Sequence, residues 1–356
     1  MLIIGTVIGA GFASGQEIVA FFGAAYISPL VAAVCGALIA AGSYLFLYLG
    51  ARFGARNVSE LNVKVLGRLH PAADVFLLFN SLIVLAGMLA GLDALGGMFF
   101  PLRPLYSIAG GALCGLVVCK GLNGLLRCNS LLIPAVIGII VAVCAASLGP
   151  PLAEPALRFN PFSCVTYASM NLILAGTVLA TVGVDKKRAV ICSVAAGAVM
   201  GVLLLLILFA LNANGAEGEM PLVSMARKYP PLFYTMAGVV AAAIFTTMLT
   251  AASGLSDWLT AATGSRRFSV AAVILAGMIL SNLGFETVVG LLYPVIGVLG
   301  ALYLVLALIA AVRRGRPAAV TRRGDGGSAS RRWRRRGTSA PRARTVSPSR
   351  SSRDRA

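Results

Sequence analysis

Between residues 5 and 17 the chain reads Gly-Thr-Val-Ile-Gly-Ala-Gly-Phe-Ala-Ser-Gly-Gln-Glu. Glycines at 5, 9, 11 and 15, with Thr6, Ser14, Gln16 and Glu17, interrupt an apolar stretch of membrane length, Met1 to Tyr26. In hydrocarbon each unpaired backbone group costs several kcal/mol, so a span built only to cross lipid keeps its helix unbroken. Each glycine weakens a helix by about 1 kcal/mol relative to alanine and lets backbone approach a ligand closely. The stretch is read as a helix that opens in mid-membrane and offers the backbone of Gly9, Ala10 and Gly11 to a small solute. Glu17 follows Gly11 by six residues, about 9 Å along a helix. An ionisable group at that depth is a candidate functional residue, here a carboxylate able to take and release a proton.

Two other readings compete. Gly5-x-x-x-Gly9 and Gly11-x-x-x-Gly15 fit the small-residue packing pattern of membrane helices. The run Gly9-x-Gly11-x-x-Ser14 lacks the third glycine of a dinucleotide loop, and apolar spans follow instead of a βαβ unit.

The rest of the chain must position this stretch. Of 356 residues 58% are hydrophobic and 12% charged, with a mean hydropathy of +0.90, against about 25% charged for soluble domains. A span needs about 20 apolar residues, and ten segments are expected: Met1–Ala25, Ser28–Gly50, Ala72–Phe99, Leu105–Cys119, Ser130–Leu148, Phe162–Val184, Ala189–Leu211, Leu232–Leu259, Phe268–Leu283 and Thr287–Val312. The first is read as a span and not a secretory leader, because no basic residue precedes it and Gln16 and Glu17 interrupt the apolar core. Only eight residues precede Gly9, about 12 Å of helix, so its first half is expected to be short. Pro134 and Pro294 lie inside segments and predict kinks.

Basic residues set the orientation. With the N-terminus cytoplasmic, loops on the inside hold eleven Lys and Arg before the tail and loops on the outside four. Both termini are therefore expected in the cytoplasm. Asn57–Leu69 reads as an amphipathic cytoplasmic helix, and Asn212–Pro231 as an external loop with a helical turn at Leu222–Lys228.

The net charge of +18 is no sign of a specific nucleic-acid partner, because 15 of the 30 Lys and Arg follow residue 312. Residues 313–356 are expected to be a disordered, solvated basic tail. The seven cysteines form no C-x-x-C pair and fall mostly in apolar segments, so they read as small buried hydrophobes. With one histidine, His70, and no converging His, Cys or paired carboxylates, no catalytic constellation and no bound cofactor are expected.

The run from Gly5 to Ile18, followed by Phe21-Phe22, resembles the opening helix of the YkvI family of uncharacterised bacterial membrane proteins. That family is similar to the amino acid–polyamine–organocation transporters with the LeuT fold. The resemblance implies an all-α membrane protein of two inverted five-helix repeats, here about 1–148 and 161–312, with helices one and six broken at the midplane. Tyr167, Ser169 and Asn171, at the centre of segment six, would then complete the substrate site. In sodium-coupled members of the fold, carbonyls of helix one and small hydroxyl residues of helix eight hold the ion. The positions here would be Gly5 and Ile8 with Ala243, Thr246 and Thr247, whose spacing places the last three on one helix face. The competing coupling ion is a proton on Glu17. The implied function is a secondary transporter in the bacterial cell membrane, a symporter of an amino acid or related small molecule, whose partners are the bilayer and that solute. The rival is a non-transporting sensor that binds a ligand on the same fold.

Overall fold

The computed structural model describes residues 2–23, 28–120, 125–150 and 159–314. The Pro-rich link at 151–158 and the basic tail from 315 onward, with the expectation of disorder placed on it, lie outside them.

The described residues are helical, in the order α1 (Leu2–Val7), α2 (Ala10–Ser14), α3 (Gln16–Phe22), α4 (Pro29–Phe53), α5 (Val58–Leu66), α6 (His70–Gly96), α7 (Leu105–Lys120), α8 (Leu125–Ala146), α9 (Pro161–Leu179), α10 (Lys186–Asn214), α11 (Pro221–Ala226), α12 (Pro230–Thr263), α13 (Arg266–Ser281), α14 (Phe285–Thr287) and α15 (Tyr293–Arg314). Six helices are long and apolar enough to cross a membrane, and Leu105–Lys120 and Leu132–Ala146 are shorter apolar helices. The chain is thus a multi-pass helical membrane protein. The fourth and ninth expected segments become 16-residue helices, about 24 Å each and short of the hydrocarbon thickness.

Helix starts follow local chemistry. Asn57 Oδ1 accepts the Glu60 amide N–H at 2.7 Å and begins α5, while Asn160 Oδ1 accepts from Phe162 and Ser163 and begins α9. Both are side-chain caps of otherwise orphaned N–H groups. Ahead of Pro294 the helix widens into a π turn at Val288–Leu292. Proline has no N–H to give the preceding turn, and the wider turn absorbs that loss. Through Pro134 the α8 helix continues without interruption.

The helices pack in two groups. α4 lies against α10 and α9, and α9 against α15; α6, α7, α12 and α13 form the other group. Glycine allows the closest approaches in the first group. A Cβ on Gly36 would stand 2.5 Å from the Gly197 carbonyl oxygen, and one on Gly197 would stand 2.3 Å from that of Gly36. Gly297 of α15 likewise abuts the Thr166 carbonyl of α9. The pieces α1 to α3 touch both groups, α1 on α9 and α2 on α12.

Candidate functional site

The first segment is helical in three pieces, and its hydrogen bonds show where the helix opens. Ile8 donates its N–H to Ile4 at 2.7 Å, Gly9 donates to Val7 at 2.9 Å, and the ladder resumes with Ala13 on Gly9 at 3.1 Å. The carbonyls of Gly5, Thr6 and Ile8 are left out of this ladder. Gly9 itself is extended (φ −90°, ψ −178°), and a Cβ there would meet nothing within 4 Å. Ala10 and Gly11 already belong to α2.

A second interruption falls at Gly15, whose φ of 82° is left-handed and comes readily only to glycine. Ser14 Oγ donates to the Gly11 carbonyl at 2.8 Å and accepts the Gln16 N–H at 3.2 Å, which holds the corner. The reversal at Gly15 returns the first turn of α3 onto α2. Glu17 is 5% exposed, and a Cβ on Gly11 would stand 2.0 Å from its Oε1. Glu17 Oε2 has no hydrogen-bond partner among the described residues.

Two phenols lie within electrostatic reach of Glu17, Tyr167 of α9 and Tyr293 of α15. Tyr167 is fully buried, its hydroxyl has no partner among the described residues, and Phe21 and Phe22 meet its ring edge-on at 5.5 and 5.2 Å. The buried thiols of Cys35 on α4 and Cys164 on α9 interact with one another.

Segment six departs from expectation. α9 runs unbroken from Pro161 to Leu179, straight through Tyr167, Ser169 and Asn171. Its polar side chains serve their own helix: Thr166 donates to Phe162, Asn171 Nδ2 to the Tyr167 carbonyl at 3.0 Å, and Thr177 to Leu174. Such bonds satisfy a polar side chain without opening the ladder. Ser169 is buried with its carbonyl toward Gly300 of α15. Of the three residues assigned to this segment, Tyr167 lies within electrostatic reach of Glu17, and Asn171 bonds a carbonyl of its own helix.

Ala243, Thr246 and Thr247 lie on α12, which packs against α2. Thr246 donates to the Ala243 carbonyl at 3.1 Å. Thr247 is half-buried. Gly5 faces α8, where a Cβ would overlap Ile133. No group of three His, Cys, Asp or Glu able to hold a metal occurs among the described residues.

Contacts outside the first segment tie α11 and α5 to the bundle. Leu222 of α11 sits over Gly15, its backbone nitrogen 3.3 Å from where a Cβ would be. Beside it Arg103 forks onto Glu219 at 3.1 and 2.5 Å, and that carboxylate holds the guanidinium above its ordinary value. Tyr303 of α15 donates to Asn62 Oδ1, and Asn62 Nδ2 and Ser59 Oγ both donate to Asp74, each at 2.7 Å. That network ties α5 to α6 and α15. Sequence reasoning missed Tyr293, the Cys35–Cys164 pair, the Arg103–Glu219 pair and the Asn62–Asp74–Tyr303 network, because each joins residues far apart in the chain with no local pattern.

No family model matches the chain. It is 29% identical over 329 residues to YyaD of Bacillus subtilis (strain 168), covering 87% of this chain and 94% of the relative. With YkvI, a membrane protein of the same organism, it shares 25% over 339 residues, 87% and 92% of the two chains. Among solved structures, MhsT in complex with L-phenylalanine superposes with a TM-score of 0.60 at 16% identity, over 87% of each chain. The inward-facing conformation of Mhp1 gives 0.57 at 15% identity, over 87% of this chain and 75% of the other. The chain is a homologue of YyaD and of the membrane protein YkvI, and its helices adopt the LeuT-type fold of MhsT and Mhp1.

Proposed function

We propose that the protein is an ion-coupled secondary transporter of a small organic solute, an amino acid or related compound, that works by alternating access. The observation that carries this reading is the opened ladder at Ile8–Gly9, with free space at Gly9, on the same segment as the buried, unpartnered carboxylate oxygen of Glu17. Unwound backbone in a membrane is tolerated where it lines a cavity or is buried in protein. In this reading ten segments form two inverted repeats, 1–148 and 161–312, in the bacterial cell membrane with both termini cytoplasmic. The solute lies against Gly9, Ala10 and Gly11, with Tyr167, Ser169 and Asn171 on the facing helix. L-Phenylalanine, named with the similarly folded MhsT, supports an amino acid as the class.

Coupling is by a proton on Glu17 or by sodium among the Gly5 and Ile8 carbonyls and Ala243, Thr246 and Thr247. Thr246 donates its proton to the Ala243 carbonyl, and the hydroxyl oxygen keeps lone pairs for a cation. A thermal-stabilisation screen of the purified chain against amino acids, with and without sodium, followed by flux of the stabilising compound into proteoliposomes, tests the reading. Stabilisation with saturable flux is expected; stabilisation without flux assigns the protein to ligand sensing instead.

A further inference from the structure

Away from the candidate site, the second helix group carries an apolar groove of about 670 Å³ between α6, α7 and α12. Its walls are regular. On α6 and the turn that follows it they are Leu92, Leu95, Gly96 and Phe99, spaced i, i+3, i+4, i+7. The same spacing runs from Tyr106 to Leu113 on α7 and from Gly238 to Phe245 on α12, so each helix turns one continuous face to the groove. A Cβ on Gly238 would meet nothing within 4 Å, and Leu113 and Tyr234 at the edges are 52% and 64% exposed. The groove is open along one side.

Its dimensions and its rim specify an occupant. The α6 wall is about 10 Å long and the α12 wall, from Tyr234 to Phe245, about 16 Å, close to the hydrocarbon depth of a single leaflet, about 15 Å. The α11 end is ringed by aromatic side chains. Phe99 meets Phe233 at 5.2 Å and Tyr234 at 6.2 Å, and Tyr106 donates its hydroxyl to the Phe100 carbonyl. Such a ring marks the boundary between hydrocarbon and headgroups. Arg227 stands on that ring, 5.7 Å over Phe233, with one N–H donated to the Met98 carbonyl. Its other donors and the exposed Lys228 have no carboxylate partner among the described residues. The nearby acids are committed elsewhere, Glu219 to Arg103 and Asp93 to the Ser107 amide; Glu217 is exposed in the loop.

We propose that the groove holds one acyl chain of an anionic glycerophospholipid from the leaflet on the α11 side, its phosphate on Arg227 and Lys228. Because this lipid joins α12 to α7, it is a structural ligand of the second helix group, independent of the solute site.

Native mass spectrometry of the full chain in mild detergent, titrated with phosphatidylglycerol or with phosphatidylcholine of the same chains, tests this. One phosphatidylglycerol per chain is expected to survive activation that strips the rest. Gly238→Phe, which fills the groove, is expected to weaken that first binding roughly tenfold. Ala241→Leu, a smaller obstruction, gives a weaker loss and keeps the test open should Gly238→Phe fail to fold. Arg227→Gln with Lys228→Gln lowers phosphatidylglycerol binding roughly tenfold and leaves phosphatidylcholine unchanged. Equal retention by all variants, equal affinity for both lipids, or a lipid-free dimer that buries α7 and α12 would overturn the proposal.

Discussion

The carboxylate of Glu17 lies across the α-carbon of Gly11, so close that a methyl group on Gly11 would fall 2.0 Å from Oε1. The left-handed corner at Gly15 makes this possible by turning α3 back on α2. The obstructing atoms are the end of a flexible side chain, and Gly11→Ala is therefore expected to fold, with Glu17 displaced from its seat against Gly11. The expected result is a near-native melting temperature with ligand stabilisation and flux lowered by roughly tenfold or more.

Gly9 and Gly15 respond in opposite ways to alanine. Gly9 is extended with open space around it, so Gly9→Ala is expected to change stability by less than about 0.5 kcal/mol. Gly15→Ala imposes a left-handed alanine, about 1–2 kcal/mol, and drives its methyl into Leu222 of α11. Thermal melts of the two variants in the same detergent separate these effects.

At the α5 end, Tyr303→Phe removes the donor to Asn62 Oδ1, and Asn62 is only 1% exposed. A buried acceptor left unpaired costs about 1–3 kcal/mol. Faster hydrogen exchange across Val58–Leu66, with exchange in α4 and α10 unchanged, is the expected signature.

Glu60 gives α5 a dependence on pH. Its carboxylate pairs with Lys64 and accepts the Arg56 amide N–H, and these contacts hold it below its ordinary value of 4.5. A carboxyl depressed on folding contributes stability that is complete above its unfolded value and is lost as pH falls through the folded one. The protection of the α5 amides, exchange divided out for its intrinsic pH dependence, is therefore expected to be flat above about pH 5 and to fall as pH drops below the ordinary carboxylate range. Because the group is exposed the effect is small, and Glu60→Gln removes it.

Much of the architecture was legible where it is local. Asn57 and Glu60 mark the start of α5, and the Gly9 and Gly15 spacing marks the two interruptions of the first segment. The break expected at segment six is absent, because α9 stays helical through Tyr167, Ser169 and Asn171, and Thr166, Asn171 and Thr177 each bond a carbonyl of that same helix. Whether a side chain reaches the backbone below it or a ligand beside it depends on rotamers and neighbours, which residue types do not encode. The electrostatic proximity of Tyr167 and Tyr293 to Glu17, and the Arg103–Glu219 pair spanning 116 residues of sequence, arise from packing between distant helices. The YkvI resemblance rested on one motif, and 25% identity over 339 residues extends it to most of the chain.

The most direct test is uptake of a panel of labelled L-amino acids into proteoliposomes of the full chain, run beside Gly9→Phe. A Cβ at position 9 meets nothing within 4 Å, so the bulk of phenylalanine is introduced at the helix break without a clash at its Cβ. Saturable uptake of at least one compound, abolished in a Gly9→Phe protein of normal melting temperature, is the predicted result. Saturable uptake that is unchanged in Gly9→Phe would contradict the placement of the site at the opened first helix. Binding without flux in the native chain would contradict transport itself.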